Sequence, residues 1–599
     1  MSNPSSLSNL PSLPIPTLPD PDRRARILDA CAQLAPLFRS HAEQRHVPGL
    51  AYGVVMDGEL IFSEGLGVRN VAADAPVDAD TVFRIASMTK SFAALAILQL
   101  RDAGKLRLDE AAATYVSELA NWRYPTTDTQ PITVRHLLSM SAGFPQDDPW
   151  ADRQLYRSDA AMRQFYAAGV SWSNPPGITF EYSNYGYMLL GRIITNVSGI
   201  PAIDYISQTI LQPLGMDATV WNATDVPSER LALGYRWEDA QWKAEALLPA
   251  GGDVATFAGL FTSVRDLARW VGLFQSAWPP RHEPEQGPLA RSSLREMQQI
   301  WRTYDPTVSV PALGAQPEIS AGGYGYGLSI QHNGKWAGVG HGGGLPGFGS
   351  HMRWAPAYGV GVVSVANLTY AGVSIACSKA LETLIETTQV KSYTLPIAPA
   401  LTAARADLLR LVKTWDDALA DTLFADNFFL DSDVAHRQQE FAELQETHGR
   451  LTPDGPFVVE NWLRGGWRMT GERGWCHFFI TLSPTVPPRI QDLEIESTLP
   501  PSAMLESGAT ALAALTAEPH QPTLAALCAA GVDQAQLWDQ VRLANILCGA
   551  CAVGEVTGGD GTTWAGFHFV GSKGQAAVRI TMTADGKLAD ADFQPMPRT

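Results

Sequence analysis

The sequence predicts an α+β fold: an antiparallel sheet flanked by helices, followed by two small repeated α+β modules. Three observations predict it. Between Gly322 and Leu368, short runs of strand formers alternate with Gly and Asn-Gly breaks, as in successive antiparallel strands. Apolar stretches with helical spacing lie before and after that region, and helices beside an antiparallel sheet make an α+β layer. Past residue 400 the chain repeats itself. Asp433 and Asp533, Gly449 and Gly549, Gly471-Glu472-Arg473-Gly474 and Gly571-Ser572-Lys573-Gly574, and Ile480-Thr481-Leu482 and Ile580-Thr581-Met582 share one spacing, 533 − 433 = 100.

Taken in order, residues 1–25 are rich in Ser and Pro and read as a flexible tail. They lack the basic start and apolar core of a secretory leader. A helix is predicted from Arg23 to Arg45, with Ile27, Leu28, Leu34 and Phe38 on one face. Asp57-Gly58 between two apolar runs predicts a hairpin. The apolar run Phe92–Leu100 predicts a buried helix that ends at Gly104. Ile132–Ser139 reads as a short helix capped by Thr133, and Tyr187–Val197 as an apolar helix. Tyr324–Ile330, Trp336–Gly340, Ser350–Trp354 and Val360–Ala366 are the predicted strands. Pro279–Pro317 is Pro-rich and reads as a surface excursion, and Thr394–Ala400 as a linker. The domains expected are 26–392, 401–500 and 501–599.

Composition excludes several functions. The chain of 599 residues carries a net charge of −17, which argues against nucleic acid or anionic membrane as a partner, since both need a basic surface. No apolar run is long enough to span a bilayer. Six scattered cysteines fit a reducing compartment, and a cytoplasmic location is expected. Cys548-Gly-Ala-Cys551 has redox or zinc spacing, yet no second ligand pair accompanies it. Buried structural thiols are expected there, and packing roles for His477 and His568. No metal and no cofactor is expected.

One constellation carries chemistry. Ser87 and Lys90 stand three apart at the start of the buried helix, on one face. Ser-x-x-Lys occurs once in the chain. A serine hydroxyl needs a neighbouring base to become a nucleophile. Burial and the positive helix end both disfavour an ammonium, so Lys90 can serve as that base. Tyr182-Ser183-Asn184 and His341-Gly342-Gly343-Gly344 follow further along. Asp147 and Asp148, in the loop after the short helix, are candidates for holding a substrate ammonium.

Together with Phe83–Lys90, Leu106-Arg-Leu-Asp109, Ile132–Ser139 and Tyr324-Gly-Tyr-Gly327, these motifs resemble the serine β-lactamase and penicillin-binding-protein superfamily. The likeness covers roughly residues 26 to 390 and is strongest to the branch of class C β-lactamases, D-aminopeptidases and related esterases. It implies that Ser87 becomes acylated, that Lys90 and Tyr182 share base and acid work, and that Asn184 positions substrate and lysine. It also implies an oxyanion hole from the backbone N–H groups of Ser87 and Gly344. His341 and Gly342 stand where the family's third motif usually has lysine and threonine, which weakens recognition of a substrate carboxylate and hence a β-lactamase or DD-peptidase role. The resemblance implies a serine peptidase or amidase acting on short or D-residue-containing peptides, with carboxylesterase and peptide cyclase or acyl transferase as alternatives. The expected partner is a small molecule or short peptide, and homo-oligomerisation stays open.

Overall fold

The computed structural model describes residues 13–309 and 318–596. Two compact units divide the chain, one of Pro16–Val310 and Pro317–Thr394, the other chiefly of Leu395–Thr599.

The first unit is built on an antiparallel sheet. Its strands run in the order Glu59–Asn70, Gly49–Met56, Val360–Ala366, Phe348–Ala355, Ala337–Leu345, Ser329–His332 and Glu318–Tyr324, with two-residue strands at both edges. The first two form the predicted hairpin, and Asp57 and Gly58 both take positive φ at its turn. The central strand Val360–Ala366 is buried on both faces. Val363 and Val365 point into one core and Val360, Val362 and Ala366 into another, as the two-residue period of a strand requires. The second core holds Ile27, Leu34, Phe38 and the helix Ser374–Thr388. The first core holds the helices Thr89–Asp102 and Asn184–Ser198. Thr89–Asp102 is apolar nearly all round, as a helix enclosed on every side must be. Phe92 stacks on Trp270 with centroids 3.7 Å apart.

Several local expectations are corrected. The helix expected over Arg23–Arg45 is two helices, Arg23–Cys31 and Leu34–Arg45. Pro36 explains the break, because in a continuous helix its ring would strike the carbonyl of Ala32. Tyr324–Ile330 is not one strand: Glu318–Tyr324 ends and Ser329–His332 begins, with Gly325 N–H donating to Leu328 O at 2.8 Å between them. Gly327 has φ +68° there, and a Cβ on it would meet Lys90 O and the Ser91 Cα at 2.8 Å. Part of the predicted surface excursion is buried, since Leu294 and Met297 of the helix Arg291–Met297 enter the core; residues 310–317 lie outside the described residues. The predicted tail is tied down in part. Thr17 N–H donates to Thr394 O at 2.9 Å, and Arg23 is buried with its guanidinium on Asp57. Residues 1–12 lie outside the described residues.

The second unit carries an eight-stranded sheet from Thr452–Asn461 to Leu588–Met596, its strands in sequence order. Each 100-residue repeat supplies helices, then four antiparallel strands, and a core of its own. The two halves join where Thr498 and Leu499 pair in parallel with Gly559 and Asp560. Some of the repeated residues are helix ends, and the others lie in the strands and the turn between them. Asp433 and Asp533 accept backbone N–H groups as N-caps, and Gly449 and Gly549 close the same helices with positive φ.

Candidate active site

Ser87 is placed by a strained turn between two pieces of regular structure. Phe83-Arg84 pairs with Phe261-Thr262, and Ile85 N–H donates to Leu260 O at 2.9 Å. Ala86 then takes φ +47°, and a single 3₁₀ turn, Ala86–Met88, feeds the helix Thr89–Asp102. A left-handed non-glycine residue costs about 1–3 kcal/mol and persists where its surroundings over-determine it. Thr89 Oγ1 supplies part of that hold: it donates to Ala86 O at 2.7 Å and accepts Leu260 N–H at 3.2 Å.

Lys90 is completely enclosed. Its Nζ lies 2.9 Å from Ser87 Oγ, 2.6 Å from Asn184 Oδ1 and 3.1 Å from Phe257 O. Burial pulls the amine down to about 8, against the opposing pull of Asp148, Asp152 and Asp147. Tyr182 brings its ring under Nζ, 4.8 Å from the centroid. Burial drives its phenol well above 10, with the carboxylate of Asp148 adding to the rise and a hydrogen bond to the Ser87 side chain opposing it.

His341 sits mid-strand in Ala337–Leu345. Its Nδ1 contacts Gly342 O at 2.6 Å and its Nε2 the Tyr324 hydroxyl at 2.9 Å. A carbonyl only accepts, so Nδ1 carries the hydrogen and Nε2 accepts from Tyr324. Burial, then the nearby lysine charge, push the imidazole down to about 3. His341 is therefore neutral at physiological pH, and it supplies no cation. Gly343 has no room for a side chain, because a Cβ would lie 2.1 Å from Ile85 O. The glycine strand is thereby pressed against the turn that carries Ser87.

A cavity of about 250 Å³ opens on Ser87 and is lined by Tyr182, His341, Gly342–Gly344, Asp148, Asp152 and Tyr370. Asp147 has a different place from the one expected. Its carboxylate accepts Asn184 N–H at 2.7 Å and Tyr185 N–H at 2.8 Å, so it caps the helix that carries Asn184. Asp148 lines the cavity and accepts Asn184 Nδ2 at 2.8 Å. Sequence reading missed Asp152 and Tyr370, whose hydroxyl donates to Asp152. The one-turn spacing of Asp148 and Asp152, 152 − 148 = 4, was the available signal. Phe257 had none, since its hydrogen bond to Lys90 comes from the backbone carbonyl.

The other candidates sit apart from this chemistry. All six cysteines are free thiols, and five are buried. His477 lines a separate cavity of about 290 Å³ in the second unit with Arg464, Phe479, Glu494 and Glu496. Among the described residues no helix is long and apolar enough to cross a membrane.

A family model described as Beta-lactamase matches residues 34–378. The chain belongs to the beta-lactamase family. Within it, the chain is similar to Protein flp of Staphylococcus aureus (strain NCTC 8325 / PS 47), 29% identical over 344 residues, which are 57% of this chain and 64% of that protein. It is also similar to Unguisins hydrolase ungD' of Aspergillus campestris (strain IBT 28561), 26% identical over 355 residues, 56% of this chain and 61% of that protein. The match thus spans a little under two thirds of these relatives' length. Among solved structures, the octameric penicillin-binding protein homologue from Pyrococcus abyssi shares the fold: TM-score 0.50, 20% identity, 94% of this chain and 98% of that chain.

Proposed function

We propose that this beta-lactamase-family chain is a serine hydrolase working through an acyl-enzyme on Ser87, with amide bonds of short peptides, D-residue-containing ones included, as its substrates. One observation carries the reading: an enclosed amine, pulled down to about 8, lies 2.9 Å from a serine hydroxyl that faces a cavity. Unguisins hydrolase ungD' bears a hydrolase name, which agrees with it.

The chemistry follows from donor counting. A neutral amine has two hydrogens and one lone pair. Asn184 Oδ1 and Phe257 O take the two hydrogens, which leaves the lone pair aimed at the Ser87 hydroxyl. Lys90 accepts that proton as Oγ attacks the carbonyl carbon. The phenol of Tyr182, held protonated by burial, donates to the departing nitrogen, and the proton on Lys90 replaces the one given up. Water then attacks the ester by the reverse route. The backbone N–H groups of Ser87 and Gly344 serve the oxyanion, a contribution typically worth about a hundred- to a thousand-fold in rate per donor. Asn184 positions the lysine, and His341, locked by Tyr324, shapes the wall.

The test uses the full chain with a fluorophosphonate, a nitrophenyl ester and D-alanine p-nitroanilide. Mass spectrometry is expected to find the adduct on the peptide containing Ser87, and the anilide is expected to turn over. Ester turnover with an anilide rate at background would make the protein an esterase. Absence of any Ser87 adduct would end the reading. An added amine that diverts the product from acid to amide would mark an acyl transferase.

A further inference from the structure

We infer that Asp152, with Asp148 and Tyr370, makes the Ser87 cavity select acyl groups that carry an ammonium, such as the free amino terminus of a peptide or amino-acid amide. The inference deepens the serine-hydrolase reading and rests on it.

The cavity wall is acidic and none of its lining residues is a cation; the nearest one is the enclosed Lys90, held on Ser87 and Asn184. Of its lining residues, Asp148 and Asp152 are carboxylates and His341 is neutral. The arginines that follow Asp152 in sequence are engaged elsewhere, Arg153 with Glu245 at 3.8 Å and Arg157 with the Gln154 side chain. Among the described residues neither Asp148 nor Asp152 has an ion-pair partner within 4.0 Å; Asp148 is held by the amides of Asn184 and Gln146, Asp152 by the Tyr370 hydroxyl. Burying a carboxylate with neutral donors alone is unfavourable. Here it also works against the proposed base, since both acids pull the Lys90 amine upward. An arrangement that opposes both folding and catalysis is relieved by a cationic ligand, which neutralises the acids and frees Lys90 to lose its proton.

Geometry puts that ligand next to the reacting carbonyl. The Tyr370 ring lies against Gly344, where a Cβ would meet Tyr370 Cδ1 at 2.7 Å, and its hydroxyl reaches Asp152. An acyl carbonyl held at Gly344 therefore has its α-substituent beside the Asp152–Tyr370 pair. Tyr370 is half exposed, and its ring adds a face that attracts ammonium. A substrate carboxylate would meet two like charges there.

The experiment compares kcat/KM for D- and L-alanine p-nitroanilide with their N-acetyl derivatives, so that each enzyme is its own control for the state of Lys90. The free amine is expected to be preferred by about tenfold to a hundredfold, the usual range for a hydrogen bond to a charged group. Asp152→Asn is expected to bring that ratio close to one, and Asp152→Glu to restore part of it. Tyr370→Phe serves as a second variant should Asp152→Asn fail to fold, and is expected to reduce the ratio. Calorimetry of D-alaninamide and N-acetyl-D-alaninamide on Ser87→Ala separates recognition from chemistry, with binding expected for the free amine alone. Equal rates and equal binding for the two forms, or a ratio unmoved by Asp152→Asn, would overturn the inference while leaving a labelled Ser87 intact. An unlabelled Ser87 with amine binding retained would overturn the hydrolase reading instead.

Discussion

Asp253 and Asp152 are buried to the same degree, and burial raises each carboxyl to about 6. Their surroundings differ. Arg192 Nη2 stands 2.6 Å from Asp253 Oδ2, and Nη1 of the same guanidinium stands 2.6 Å from Asp159. Arg192 lies on the helix that begins at Asn184, and Asp253 lies in the turn that ends at Phe257. That ion pair ties together the two segments whose oxygens hold Lys90. Asp152 meets a tyrosine and an open cavity. A raised carboxyl thus says little about what a residue does. The partner decides: a guanidinium in direct contact makes Asp253 a structural tie, whereas Asp152 has no ion-pair partner within 4.0 Å among the described residues, feels only the more distant Lys90 and faces the cavity where an ammonium is proposed to bind.

The sharpest break between the two places is Ser87→Ala, expected to lower kcat/KM by about 10⁴-fold or more while the denaturant midpoint stays put. Arg192→Met should do the converse. Left without its cation, Asp253 is expected to destabilise the first unit by about 3–5 kcal/mol, read from urea unfolding. Gly343→Ala probes the contact between glycine strand and nucleophile turn. Its Cβ would press on Ile85 O, and a displacement of the order of 1 Å typically lowers kcat about a hundredfold.

A pH profile sharpens the comparison further. In the proposed mechanism Lys90 acts in its neutral form, and burial holds it near 8, so kcat/KM for a neutral ester should rise tenfold per pH unit up to about 8 and then level. The last effect concerns Asp152. Its folded value, about 6, lies above the ordinary carboxyl value of about 3.9. Folding therefore favours its protonated form: the contribution is full below pH 4 and is lost as pH rises through 6. Asp152→Asn should then be more stable than the parent at pH 7.5, by up to about 3 kcal/mol, with no such gain at pH 4. An equal gain at both pH values would show that Asp152 is not held in that way.

Much of this was legible from residues alone. Ser87, Lys90, Tyr182, Asn184 and His341 stand out because reactive or amide side chains sit in motifs whose spacing has a local meaning, and the structure brings all five to one place. The hairpin at Asp57-Gly58 and the caps at Asp433, Asp533, Gly449 and Gly549 were visible for the same reason, since each satisfies backbone geometry within a few residues. The misreadings share the opposite cause. Tyr324–Ile330 looked like one strand because its β-formers alternate, and only its packing on Lys90 and Ser91 forces the turn at Gly327. Asp147 looked like a second ligand beside Asp148, yet a helix 37 residues on claims its carboxylate.

The sequence by itself determined the α+β layering, the family and the positions of the proposed nucleophile and its amine, because periodicity and short motifs act over one turn of chain. Tertiary structure alone decided the charge state of Lys90 and His341, the helix-capping place of Asp147, and the meeting of Asp152 and Tyr370 at the cavity. Those outcomes depend on burial and on neighbours that the chain brings from as far as 341 − 90 = 251 residues away, and no local pattern encodes either.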